Sequence, residues 1–204
     1  STSAMQQVCL QIGKTIIQAV VNTQGVSVMA AFTAVNRVDD FAYIPQQNIG
    51  HAMTTFIAQN KGAGKKERIR RGFQSGIGIE LVYGLILLVL MYFGAEKIMG
   101  LFTSQEDAQV VALGRSYLHL VSWMYILPAI TNGIQGFFRG MGDLKVTLYS
   151  TFMNMAGRVL AVIVMFLVFH LGFVSLAWAN LIGWIVMLLF EIPLLMRQLK
   201  ELRK

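Results

Sequence analysis

Charge is scarce in this chain. Only 13% of its 204 residues are Asp, Glu, Lys or Arg, about half the share of an ordinary soluble domain, while 55% are apolar. That balance excludes a disordered tail. A single cysteine, Cys9, excludes an internal disulfide, a CxxC pair and a zinc cage. Set in an apolar run, it is expected only to pack. The histidines His51, His119 and His170 lie far apart with no HExxH arrangement, so a metal hydrolase has no ligand set. Each is expected to make a polar contact in a packed or interfacial position. Ser1 leads straight into a semi-polar helical pattern without the basic, apolar and small-residue sections of a signal peptide. With no initiator Met, the chain is expected to be a piece of something longer.

What the chain has in quantity is apolar helix. Crossing a hydrocarbon core of roughly 30 Å takes about 20 helical residues, and four runs qualify: residues 73–94, 117–138, 146–170 and 173–196. The first carries Glu80, the second only His119, the third Arg158 and the fourth Glu191. Two further helices are predicted at 3–21 and 28–58, where polar residues recur at helical spacing. Gln7, Gln11, Lys14 and Gln18 share one face of the first, and Asn36, Asp40, Gln47 and His51 share one face of the second. A wet stripe in a membrane helix usually faces a cavity or the bundle interior.

Six helices put both ends on one side, and the basic residues agree. Residues 60–72 hold six Lys or Arg, residues 139–145 hold two and residues 197–204 hold four. The opposite side, made of residues 22–27, 95–109 and the turn near Leu171, holds only Lys97, beside Glu96, Glu106 and Asp107. The positive-inside rule then places both termini and the basic loops in the cytoplasm. This bunching also turns the net charge of +7 away from a nucleic-acid partner. Small residues spaced by four, at Gly72 and Gly76, Ala129 and Gly133, Gly136 and Gly140, Gly157 and Ala161, and Ala179 and Gly183, predict close helix packing. Pro45 and Pro128 fall inside spans and are expected to bend or loosen them. With no internal repeat and no long linker, one transmembrane bundle over residues 1–204 is expected.

Several motifs tempt without convincing. Gly13-Lys14-Thr15 and Gly62-Ala63-Gly64-Lys65 lack the full phosphate-loop pattern. Gly140-Met141-Gly142-Asp143 matches the GxGD string of intramembrane aspartyl proteases, but that chemistry needs two facing carboxylates, and Asp143 falls in a loop. Among the ionisable residues within the spans, Arg37 and Asp40 are spaced to pair along one helix, and Arg115 and Glu191 are placed to snorkel to the interface. Lys14, Asp39, Glu80 and Arg158 have no such partner. They either pair between helices or line a pathway, and Arg158 extends a polar stripe of Thr147, Thr151 and Asn154.

Three stretches resemble the carboxyl-terminal half of a multidrug and toxic compound extrusion (MATE) transporter: Gln18 to Asn36 (QAVVNTQGVSVMAAFTAVN), Thr55 to Gly64 (TFIAQNKGAG) followed by Arg68, and Gly136 to Asp143 (GFFRGMGD). The resemblance implies an all-α polytopic six-helix bundle, helices seven to twelve of a twelve-helix transporter in the bacterial plasma membrane. It implies export of small cationic amphipathic solutes in exchange for Na⁺ or H⁺, with two lobes rocking about a central cavity. No cofactor beyond that ion is implied. The partners would be the lipid bilayer and the missing amino-terminal lobe. One branch of the family binds its coupling cation through acids in helices seven and ten. Here the seventh carries Gln7, Gln11, Lys14 and Gln18, and the tenth Thr131, Asn132 and Gln135, so that site is not carried over. The other arrangement uses an aspartate of the first helix, which this sequence does not contain.

The expected cavity wall is therefore Gln7, Gln11, Lys14, Gln18, Asn36, Asp40, Asn154 and Arg158. Asp39, Asp40 and Glu80 are the candidates for binding a cation or proton. The alternatives are a structural or partner-binding membrane subunit and a lipid-linked precursor flippase of the same superfamily. A flippase wants a strongly cationic cavity, against which the balanced charges of these spans count.

Overall fold

Six helical rods account for nearly all of the computed structural model, which describes residues 2–102 and 108–202. The first three are α1 (Thr2–Asn22), α2 (Val26–Gly62) and α3 (Lys66–Phe102). The fourth rod is broken: α4 (Ala108–Ser122) and α5 (Ile126–Gly140) meet at a 3₁₀ turn, Trp123–Tyr125. The fifth, α6 (Leu144–Ile163), runs into a π-type turn at Val164–Val168, and α7 (Ser175–Glu201) is the sixth. Glu106 and Asp107, expected on the acidic side, and the last basic residues, Arg203 and Lys204, lie outside the described residues.

Composition explains which rods could cross a membrane unaided. The α3 rod, the α4–α5 rod, α6 with its π turn, and α7 are long and apolar enough to do so. The wet stripes hold α1 and α2 below that level. At 37 residues each, α2 and α3 are about 55 Å long, so they outreach a hydrocarbon core of ~30 Å and carry the basic segment beyond it. Their outward faces are oily: Leu85, Ile86, Val89, Leu90 and Phe93 of α3 all lie exposed, as lipid-facing side chains do.

Inside, α2 is the central rod, packing on α3 and α5 and more lightly on α1 and α4, while α6 packs on α1 and α7. Glycine sets the closest approaches. A Cβ on Gly136 of α5 would stand 2.6 Å from the Gly50 carbonyl oxygen of α2, and one on Gly183 of α7 would stand 2.9 Å from the Asn154 carbonyl oxygen of α6. The Thr54 hydroxyl stitches the first seam, donating to Gly50 O (2.9 Å) and Gly136 O (3.2 Å). A larger apolar stack, including Val35, Val38, Leu118, Tyr125 and Ala177, fills the other end of the bundle.

The basic segments converge on one end. Lys61 Nζ donates to Met141 O, and one recess there is lined by Lys61, Asp143, Lys145 and Gln198. Gly64 (φ 67°) and Gly142 (φ 77°) take the left-handed turns of this end, a conformation that costs a residue with a Cβ. That is the physical use of the glycines in both loop motifs. Asp143 shares its recess with two lysines, not with a second acid. Pro45, expected to loosen its helix, sits in an α2 that continues through it. Pro128 instead follows the 3₁₀ break.

Candidate functional site

Polar side chains from five rods line a cavity of about 290 Å³. From α1 come Gln6, Gln7 and Lys14; from α2, Asn36, Asp39, Asp40, Gln47 and His51. The α5 segment adds Thr131, Asn132, Gln135 and Arg139, α6 adds Thr151, Asn154 and Arg158, and α7 adds Asn180 beside Trp184. Amides, hydroxyls and aromatic faces dominate, a lining that offers adaptable hydrogen bonds without imposing one ligand shape.

Two hydrogen-bonded groups anchor the wall. In the first, the buried Asp39 carboxylate accepts from the Tyr125 hydroxyl of the 3₁₀ turn and from the Tyr117 hydroxyl of α4 (3.4 Å). Asn180 Nδ2 of α7 in turn donates to Tyr117 Oη (2.7 Å), so one carboxylate ties together α2, α4, the break and α7. In the second, Gln6 Nε2 of α1 donates to Thr151 Oγ1 of α6 (2.7 Å). Gln135 Nε2 of α5 donates to Ser150 Oγ and to Thr151 Oγ1, both at 3.3 Å. Glu191 of α7 is buried beside Ser150 and Gln135, with Arg139 as its neighbouring opposite charge.

Each cation on the wall has an acid in its surroundings, and Lys14 is within ion-pair distance of its own. Lys14 Nζ stands 3.8 Å from Asp40 Oδ1 across α1 and α2, Arg158 acts electrostatically on Asp39, and Arg139 on Glu191. The Arg139 and Arg158 Nε–H groups are buried without a partner, leaving donors unused at the lining.

Of the residues expected at the wall, Gln7, Lys14, Asn36, Asp40, Asn154 and Arg158 line this cavity, as does Asp39. Gln11 and Gln18 do not. The cavity-facing side of α1 centres on Gln6, Leu10 and Lys14, and since one residue is ~100° of helical rotation, Gln11 falls past the edge and lies exposed. Gln18 borders a separate shallow groove and donates to Asn22 Oδ1 (2.7 Å). Glu80 lies in neither place: it is buried on α3 facing α2 and α5. One pairing expectation and one snorkelling expectation also fail. Asp40 meets Lys14 in place of Arg37, which is exposed, because a partner across the α1–α2 groove competes with the one along the helix. Glu191 does not snorkel, since α7 runs on to Glu201 and leaves it about three turns inside. Arg115 is exposed and reaches Glu96 Oε2 at 3.2 Å.

Sequence reasoning missed Gln6, Tyr117, Tyr125 and Asn180. Asn180 was detectable as the lone amide of an otherwise oily span. The two tyrosines were not, because a tyrosine in an apolar run reads as core until its hydroxyl finds a partner.

Comparison with known proteins follows the same outline. The fold superposes on a MATE transporter solved in complex with MaL6 at a TM-score of 0.91, with 20% identity, covering 99% of this chain and 46% of that one. A MOP superfamily transporter from Pyrococcus furiosus, whose description speaks of a reversed polarity of its binding pocket, gives a TM-score of 0.88, 17% identity and coverage of 96% and 43%. In sequence the chain is 28% identical over 174 residues to the probable multidrug resistance protein NorM of Rhizobium meliloti, 81% of this chain and 36% of that protein. It is 24% identical over 142 residues to the probable multidrug resistance protein YoeA of Bacillus subtilis, 70% of this chain and 30% of that one. The chain therefore spans about a third of the length of these curated relatives. The MatE family pattern matches residues 3–160, and with wet stripes, glycine seams and basic turns all inside or adjoining that match, the chain belongs to the MatE family.

Proposed function

We propose that this chain is the carboxyl-terminal lobe of a multidrug exporter in a bacterial plasma membrane, with its basic loops and both ends of the segment cytoplasmic. The lobe supplies one wall of a cavity that takes up cationic amphipathic solutes and releases them outward in exchange for Na⁺ or H⁺, by rocking against an amino-terminal lobe. The observation that carries the reading is the convergence of polar groups from α1, α2, α5, α6 and α7 on one cavity, while the outward side of α3 stays oily. Two relatives described as probable multidrug resistance proteins support the same activity. Asp39 and Asp40 are the wall's acids for attracting a cation. The acids near Lys14, Arg139 and Arg158 favour an exporter over a flippase, whose pyrophosphate substrate would call for unbalanced positive charge.

The test is resistance conferred by the full-length protein in cells stripped of their own efflux pumps. Asn154→Ala and Asp39→Asn are expected to lower resistance to cationic amphiphiles at unchanged protein level. Unchanged resistance in both would overturn the cavity assignment.

A further inference from the structure

Glu80 is fully buried on α3, and neither of its carboxyl oxygens has a hydrogen-bond partner. An ionised carboxylate in that position is costly in a membrane interior, and a neutral acid still needs an acceptor for its O–H. Gln46 of α2 presents the complementary want. It too is fully buried; its Nε2 donates to Tyr125 O (3.3 Å), and its Oε1 receives nothing.

Helix contacts put the two side chains at one height. Along α3, a Cβ on Gly84 would touch Ala129 Cβ and Tyr125 O, both at 3.4 Å, and Ile77 abuts Gly133. Glu80 lies between those marks, so it faces the Ala129 to Gly133 turn of α5. Gln46 reaches the same place from α2, since its amide holds Tyr125 O and Gly50, one turn further on, touches Asn132 O and Gly136. One shared hydrogen would satisfy both residues.

We propose that Glu80 and Gln46 form a proton-binding site between α2, α3 and α5, separate from the solute cavity, in which the Glu80 carboxyl holds the proton and donates it to Gln46 Oε1. The neighbouring titratable groups are otherwise engaged. Tyr83, one turn along α3, donates to Ala42 O (3.2 Å). On α2, Asp39, Asp40, Tyr43 and His51 turn to the cavity, and Tyr125 donates to Asp39. On α4, Tyr117 donates to Asp39 and His119 stacks on Tyr92. The α5 segment has none before Arg139, which faces Glu191. Loss of the proton leaves acceptors facing one another at the three-helix junction and loosens it.

Infrared spectroscopy of the full-length protein in lipid vesicles at neutral pH tests this. The expected signal is the carbonyl band of a hydrogen-bonded carboxylic acid, lost in Glu80→Gln and shifted to higher frequency in Gln46→Leu. Absence of any band removed by Glu80→Gln would overturn the proposal, as would a band indifferent to Gln46→Leu. A band that Na⁺ erases at constant pH would assign the site to the metal ion and overturn it equally. Should Gln46→Leu fail to fold, thermal melting of Glu80→Gln decides, because its amide N–H stands where the proton was. Its melting temperature is expected to fall less over the alkaline range than the wild type's does, the remaining fall belonging to other buried groups such as Glu191; parallel curves refute the site. No readout requires solute export, so failure here is distinct from failure of the exporter reading.

Discussion

Replacing Gly136 with alanine is the sharpest test of how the bundle is held. The added Cβ would stand 2.6 Å from Gly50 O, whereas ordinary contact begins at 3.4 Å, and the obstructing atom is backbone. Neither helix can swing a side chain aside, so α2 and α5 must part. Parting also stretches both bonds of the Thr54 hydroxyl. Overpacking of this kind costs about 1–3 kcal/mol. The opposing effect is helix propensity, since alanine is favoured over glycine by about 0.8–1.0 kcal/mol in a helix interior. Gly78→Ala on α3, where nothing lies within 4 Å of the new Cβ, isolates that benefit. The net expectation is that Gly136→Ala melts below wild type and Gly78→Ala slightly above it, separated by the overpacking cost of about 1–3 kcal/mol, since the propensity benefit is common to both. Thermal melting of the full-length protein in detergent measures the gap. If the two variants melt together, or Gly136→Ala is the more stable, the α2–α5 seam is not what the structure shows.

Tyr125→Phe removes a donor from the buried Asp39 carboxylate and should destabilise by about 1–3 kcal/mol, read by the same melting assay. A double-mutant cycle between Tyr117→Phe and Asn180→Leu should show coupling, because the amide donates to the phenol; additive effects would separate them. Lys14→Met should change stability by less than about 1 kcal/mol, since its pairing with Asp40 is exposed, which thermal melting checks directly. Gln11→Ala should leave drug resistance unchanged where Asn154→Ala lowers it, and a drop with Gln11→Ala would place the cavity on the wrong face of α1.

Much of this lobe was readable from residue order because membrane helices obey few rules. Runs of span length gave the four oily rods, and polar recurrence separated α1 and α2 from them. Within a stripe the resolution was one helical step: Gln7 and Lys14 line the cavity while Gln11, between them in sequence, does not. Periodicity fixes which residues share a side but not the rotation of that side toward its neighbours. Tertiary pairing was invisible for the same reason. Arg37 was the natural companion of Asp40 along the helix until α1 brought Lys14 within reach. The break at Trp123–Tyr125 was also hidden, because Pro128 marks a weak point three residues past it without saying where the hydrogen-bond pattern changes.

That break has a mechanical meaning. Asp39 draws one phenol from α4 and another from the 3₁₀ turn itself, so it clasps the helix and the turn that interrupts it at once. Any flexing at the turn must release one clasp or strain it, and whatever neutralises the carboxylate relaxes the grip on the turn. By linkage, chemical occupancy and angle at this point govern each other: a single side chain works as the latch of a jointed strut.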